Sequence, residues 1–467
     1  MTSAGVRLRV HGPRSKISYV AIQKTQAFAN GGRSSTERRA LKESPYWWDT
    51  VPSSEPGSSN FELLQSRRFD VAVVGAGYTG LAAARQLARA GASVVVLERE
   101  RVGWGASSRN GGQVLTGLKL DPATLVARVG RSRARKLFDI SLESIAALEA
   151  LIADEAIECE YERTGHIQAA SKRGHFDAFR DERKLLARLF EHRVELVSRA
   201  EQRGEIASDA YHGLLVDERS AALNPAQYIR GLNTAAVRAG VAVAEGTGVE
   251  RLSRQSARWA IETSRGAVDA RDVLIATNGY TDGAAPALQR RLVPVGSYVI
   301  ATEPLPVSVA AMLLPRRRVA FDSKHFLHYF RLTRDSRLLF GGRAAFARPT
   351  PGTTRRAAAI LRRDLARVFP QLATTSIEYA WCGNVAFTRD QMPHAGRLDQ
   401  TYYAGGYCGH GIAMATYLGA LVARRMAGEP VEHPLLSDRF PAIPLYRGKP
   451  WFLPVVGAYY KLRDWID

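Results

Sequence analysis

Gly75, Gly77 and Gly80 stand in a GxGxxG spacing, and a carboxylate, Glu98, follows at the tip of the next apolar run. Those residue types can hold a dinucleotide. Gly75 permits a tight turn, Gly77 lets the backbone approach a pyrophosphate, and Gly80 lets a helix sit close on a sheet. A carboxylate placed like Glu98 accepts hydrogen bonds from an adenosine ribose and disfavours a 2′-phosphate, which argues against NADP and leaves FAD and NAD open. The elements that must position these groups surround them. Val71, Val73 and Val74 form the β-branched run of a buried parallel strand, Leu81 to Ala90 read as a helix that Gly91 can cap, and Ser93 to Leu97 read as a second strand. The helix start offers N–H groups and a partial positive charge to phosphate.

Two more glycine-rich stretches follow. Arg101 to Gln113 combine small residues with Ser107, Ser108, Asn110 and Arg109, which suits close approach and short polar contacts. Gly405 to Gly411 precede an apolar helix, Ile412 to Met426, whose N-terminus can face an electron-rich group. A nicotinamide enzyme does not need this last junction. A long cofactor spanning two glycine-rich junctions does, and this favours FAD.

The chain has 467 residues and a formal charge of +20. Its length allows a large core and two domains. Residues 1–42 carry nine basic groups against Glu37, a net +8, and the remaining excess is scattered as arginine-rich faces without an aromatic-interleaved stripe. This argues for solvated faces and against a nucleic-acid partner. Cys159, Cys382 and Cys408 form no CxxC pair, no metal-ligand spacing stands out, and no secretory apolar segment follows Met1, so a cytoplasmic location is expected. Ala404 to Ala423 is long and uncharged, but its glycines and His410 read as strand, turn and buried helix rather than a membrane span.

The expected fold class is α/β: a Rossmann-like FAD-binding domain interrupted by a discontinuous, β-rich substrate domain. Residues 1–43 are expected as a mobile basic extension, a transit peptide or a misassigned start being the alternatives, and 44–66 as a linker and N-terminal segment. The FAD-binding parts are 67–154, 225–286 and 381–428, and the substrate parts 155–224 and 287–380. Amphipathic helices are expected at Ser132–Ala153, Gly174–His192 and Pro225–Ala239. Strands are expected at Val273–Ala276, Ser297–Thr302, His325–Leu332, Arg337–Gly341 and Tyr402–Ala404. Residues 429–467 form a C-terminal helical tail. Its aromatic stretch Pro450 to Ile466 is too short and Pro-broken to span a bilayer and reads as a packed helix, with peripheral membrane contact as the alternative.

These motifs, with Ala276 to Tyr280, Trp381-Cys382-Gly383 and Thr388 to Pro393, resemble the D-amino-acid oxidase superfamily of FAD-dependent oxidoreductases, and within it the gamma-glutamylputrescine oxidase group. The resemblance covers about residues 44–467 and departs from the family at Ser108, where glycine is usual. It implies cofactor contacts from Gly75, Gly77, Tyr78, Thr79, Gly80, Glu98, Gly105, Ala106, Ser107, Arg109, Asn110, Gly111, Gly112 and Gln113. It adds Val249 on the adenine side, Thr277, Asn278 and Gly279, and Gly406, Gly409, His410, Gly411 and Ile412. Members that tether flavin covalently carry cysteine where Gly383 aligns, so FAD is expected to be non-covalent.

The implied reaction is oxidation of a primary or secondary amine by hydride transfer, with oxygen or another acceptor reoxidising the flavin. Catalytic candidates are His410, Tyr298 and Tyr329. Substrate-pocket candidates are Trp104, Tyr407 and His328. Each has a plain structural alternative: core packing for the aromatics, backbone satisfaction for His410, and a strand position for His328. Competing functions are a dehydrogenase feeding a quinone or carrier, a flavoprotein acting on nucleic acid, and a non-catalytic FAD-binding interaction protein.

Overall fold

The computed structural model describes residues 40–52, 61–342 and 351–466. The valine run lies in strand β1 (Arg68–Val74), the chain turns at Gly75 with φ of +103°, and helix α1 (Tyr78–Arg89) leads to strand β2 (Val94–Leu97). β1 pairs in parallel with β2 on one side and with β3 (Gly266–Ile275) on the other. Parallel pairing continues from β3 to β4 (Thr401–Gly405) and from β2 to Ala242–Ala244. Parallel strands put their C-terminal ends on one edge, where open α/β sheets bind ligands. The Gly75 turn, Glu98, Thr277 and Gly406 all follow such ends, so residues far apart in sequence collect on one rim.

Close packing fixes that rim. A Cβ at Gly80 would strike the Gly75 carbonyl oxygen and stand 3.2 Å from Val73 Cγ1. Helix α2 (Ile412–Met426), found with the expected ends, approaches α1 so closely that a Cβ at Gly419 would strike the Thr79 carbonyl. The expected amphipathic helices are Arg131–Asp154, Arg173–Leu189 and Pro225–Arg238. The last begins with proline at its first turn and is capped by Asn224, whose Oδ1 accepts from the N–H groups of Ala226 and Gln227.

A second sheet of eight strands runs from Ile377–Phe387 through Val293–Thr302, Leu338–Gly342, His328–Leu332, Val319–Asp322, His166–Ala169 and Leu214–Asp217 to Glu195–Val197. The strand expected from His325 starts only at His328. The N–H groups of His325 and Phe326 instead donate to Asp464 of the C-terminal helix α3 (Leu453–Ile466), at 2.7 and 2.9 Å. Lys42 and Glu43, the last residues of the expected extension, are held by the folded chain. Lys42 bridges to Tyr379, donating its N–H to Glu378 and accepting from Ala380, and Glu43 pairs with Arg355. The rest of that extension, residues 1–39, and most of the expected Pro52–Asn60 linker lie outside the described residues. No helix among the described residues is long and apolar enough to cross a membrane.

Candidate active site

The rim opens into a cavity of about 1100 Å³ that continues between the two sheets. At one end Glu98, half-buried, accepts the Ala76 N–H at 2.8 Å and the Glu100 N–H at 3.0 Å. Burial pushes its pKa up, against the pull of those two donors. Val249 lies at the same end. Gly77 lines the wall, and a Cβ there would sit 3.0 Å from Ser107 Oγ, which itself accepts the Tyr78 N–H. Thr79, Gly105, Ala106, Gly111, Thr277, Asn278, Gly409, Gly411 and Ile412 line it as well. Gly80, Gly112, Gly279 and Gly406 do not, and act from behind the wall. A Cβ at Gly112, whose φ is +71°, would strike the Leu223 carbonyl, and Gly406 donates its N–H to Asn278 Oδ1 at 2.9 Å.

The loop Ser107–Gln113 is held with unusual thoroughness. The indole N–H of Trp47 donates to the Asn110 carbonyl, that of Trp48 to Ser108 Oγ, and that of Trp381 to the Arg109 carbonyl, all at 2.8–2.9 Å. Ser108 also donates to the Gly103 carbonyl at 2.6 Å, so its hydroxyl has two partners. Asn110 turns its amide back on Ala106 and Ser107, and Gln113 reaches carbonyls of Ala320 and Phe330 in the second sheet. Arg109 donates to the carbonyls of Trp104 and Cys382 and stacks between the Trp48 and Trp104 rings, and burial lowers its pKa. Trp47 and Trp48 belong to a segment expected as linker.

Of the catalytic and pocket candidates, Tyr329, Trp104, Tyr407 and His410 line the cavity. Tyr329 shares a hydrogen bond of 3.0 Å with Ser297 and its ring packs on Gly111 and Gly341. Trp104 meets Tyr280 edge to face. His410 precedes the start of α2. Its Nδ1 is buried without a hydrogen-bond partner, and burial pushes its pKa down to about 3.

Two candidates, Tyr298 and His328, lie off the cavity. In the strand of Tyr298, Val293, Val295 and Ser297 face the cavity, and Tyr298 alternates into the core behind them, 1% exposed, with its hydroxyl near Thr353. His328 also alternates away, next to Tyr329, and lies between Asp322 and Asp364 at 3.2 and 3.4 Å. Burial opposes its charge, but both carboxylates raise its pKa above the usual histidine value. Tyr407 borders the cavity but commits its hydroxyl to Thr79 Oγ1 at 2.6 Å, tying the glycine turn before α2 to the start of α1.

Beyond Tyr329 the cavity reaches groups that no local motif announces: Thr116, His166, His192 and Asp217. Asp217 Oδ2 accepts from His192 Nε2 and Thr116 Oγ1, both at 2.6 Å. Burial opposes the charge on Asp217, yet His192 and nearby His166 hold its pKa well below the usual carboxylate range. His166 Nδ1 meets Ser220 Oγ at 2.8 Å. These residues sit on different strands of the second sheet or in loops beside it.

The cavity fits an FAD. It offers a carboxylate at its ribose end, a glycine-lined helix start for the diphosphate, and a buried, unpartnered imidazole nitrogen at a second helix start. Cys382, within strand Ile377–Phe387, turns into a core cluster off the cavity, with its thiol pKa pushed up to about 12 by burial.

Known proteins agree with this geometry. The chain is 34% identical over 407 residues to the gamma-glutamylputrescine oxidoreductase of Escherichia coli (strain K12), covering 86% of this chain and 94% of the relative. It is 34% identical over 372 residues to a probable oxidoreductase, OrdL, of Haemophilus influenzae, covering 79% and 85%. Its fold matches the crystal structure of glycine oxidase from Geobacillus kaustophilus with a TM-score of 0.67 at 21% identity, over 78% of this chain and 96% of that one. The FAD dependent oxidoreductase family model, DAO, matches residues 70–425. The chain therefore belongs to the DAO family of FAD-dependent oxidoreductases and is an enzyme whose cofactor is FAD.

Proposed function

We propose that this enzyme oxidises a primary or secondary amine of the gamma-glutamylputrescine kind to an imine, with oxygen as the final acceptor. The observation that carries the reading is the single cavity running from Glu98 past His410 to Tyr329, Trp104 and the ionised Asp217. The similarity to gamma-glutamylputrescine oxidoreductase supplies the substrate class. Bound FAD supplies the hydride acceptor. In this reading the parallel sheet carries the cofactor and the second sheet covers the substrate. The cytoplasmic assignment belongs to the same proposal and rests on three free, buried cysteines.

The protein must deliver a neutral amine. A lysine-like amine with pKa about 10.4 is neutral in roughly one molecule in 2,500 at pH 7, an uphill cost of about 4.6 kcal/mol. The aromatic walls of Trp104, Phe321 and Tyr329 exclude water and favour the neutral form. The ionised Asp217 carboxylate lines the same cavity and offers a negative group to an incoming ammonium. The test is an anaerobic screen of amines and amino acids for bleaching of the bound flavin, followed by admission of oxygen. Rapid bleaching by an amine and peroxide release on reoxidation are expected. A flavin that no amine bleaches defeats the proposal, and bleaching without peroxide transfers the acceptor role to a quinone or carrier.

Two further results are expected. Glu98→Ala weakens FAD binding by about 2 kcal/mol, the scale of hydrogen bonds to a charged acceptor, and Glu98→Gln, which keeps one acceptor oxygen, falls between. Titration of apoprotein with FAD measures this, and unchanged affinity removes Glu98 from the ribose site. Acid precipitation releases all the flavin, because Gly383 offers no thiol and Cys382 faces the core. Yellow colour in the washed pellet contradicts that.

A further inference from the structure

We propose that helix α3 docks this enzyme on an anionic lipid surface through its outward face. The helix has two faces with different fates. Leu453, Val456 and Tyr460 line the cavity, and Asp464 accepts the backbone N–H groups of His325 and Phe326 on the same side. At 3.6 residues per turn, Val455, Tyr459, Leu462 and Trp465 fall together on the opposite side. They are 70, 52, 53 and 81% exposed, and Trp451, just before the helix, is 67% exposed. A stripe of large apolar side chains open to solvent marks an interaction surface.

The charges around the stripe select the partner. Lys461 and Arg463 fall on its two opposite edges, and Arg447 and Lys449 lie just upstream. The one carboxylate within the helix, Asp464, is turned inward onto the 325–326 amides. An apolar stripe with aromatic side chains, bordered by cations and with no outward acid among the described residues of the helix, matches the boundary between anionic headgroups and acyl chains. The helix has 14 residues, too few to span a bilayer, so it lies in the interface plane. The docked helix then forms part of the cavity's own roof.

The test uses the full-length, flavin-loaded protein in flotation assays. The probes are vesicles of phosphatidylcholine alone and of phosphatidylcholine mixed with phosphatidylglycerol. Flotation with the anionic vesicles is expected, weakening as salt rises. Leu462→Ser combined with Trp465→Ser reduces it at least about tenfold, as does Lys461→Glu combined with Arg463→Glu. Flavin content confirms folding. If the serine pair loses flavin, the charge-reversed pair decides by the same assay. Absence of flotation with anionic vesicles, or equal flotation by wild type and variants, overturns the proposal. Self-association that the serine pair abolishes, without any flotation, overturns it too and assigns the face to a second copy of the chain.

Discussion

Gly80→Ala yields a protein without bound FAD, destabilised by about 3 kcal/mol, the upper end of the usual cost of overpacking a tight core. Two effects oppose each other. Alanine in a helix is favoured over glycine by about 1 kcal/mol. Against this, the new methyl group would occupy the space of the Gly75 carbonyl oxygen and press on Val73. Neither neighbour is the flexible end of a long side chain. To make room, α1 must lift from β1, and the turn that presents Gly77 and the start of α1 to the diphosphate moves with it. Steric exclusion therefore wins over propensity. Gly419→Ala attacks the same junction from α2 by striking the Thr79 carbonyl, and has the same sign. Gly174→Ala is the control. That glycine also sits in a helix, but nothing stands within 4 Å of its would-be Cβ, so the change is neutral or slightly stabilising. Flavin per mole and thermal unfolding measure all three. Full flavin content and an unchanged melting temperature in Gly80→Ala would mean that the close packing of α1 on the sheet does not hold the site.

The glycine junctions were legible because their logic is local. A strand, a turn needing positive φ and a helix that must pack closely occupy consecutive residues, and parallel topology brings the separate junctions to one rim. Tyr298 and His328 were misplaced for a reason equally physical. Both sit in strands buried on both faces, where no apolar–polar alternation reveals which side a residue takes, and an error of one position reverses every side chain. The hydrogen bonds of the Trp47, Trp48 and Trp381 indoles are not legible locally, because their partners lie in the Ser108–Asn110 loop, at least 60 residues away. The Asp217 network is not legible locally either. Thr116, His166, His192 and Asp217 share no motif, and only the pairing of His166–Ala169 with Leu214–Asp217 and the fold of the neighbouring loops bring them to one place.

His410→Ala slows anaerobic flavin reduction by about 100-fold, the loss seen when one preorganised polar partner of a developing charge is removed, and leaves the pH profile of kcat/KM with its rising limb intact. The argument rests on position and ionisation together. His410 lines the cavity just before α2, where the helix N-terminus carries partial positive charge, and its buried Nδ1 has no partner in the protein. A pKa near 3 keeps the imidazole neutral across the working pH range. A neutral ring can present an N–H to developing negative charge without holding a full positive charge in a buried place. A general base of ordinary histidine character would instead impose a limb with an apparent pKa of about 6.5, which the substitution would erase. The rising limb belongs to the amine, which must lose its proton before it reacts. Stopped-flow reduction across pH for both proteins separates the cases. Equal rates at every pH remove His410 from the chemistry and leave it as a packing residue at a helix start. Loss of the limb with the side chain makes His410 the base, and its ionisation must then be set by the bound cofactor and substrate rather than by burial in the protein alone.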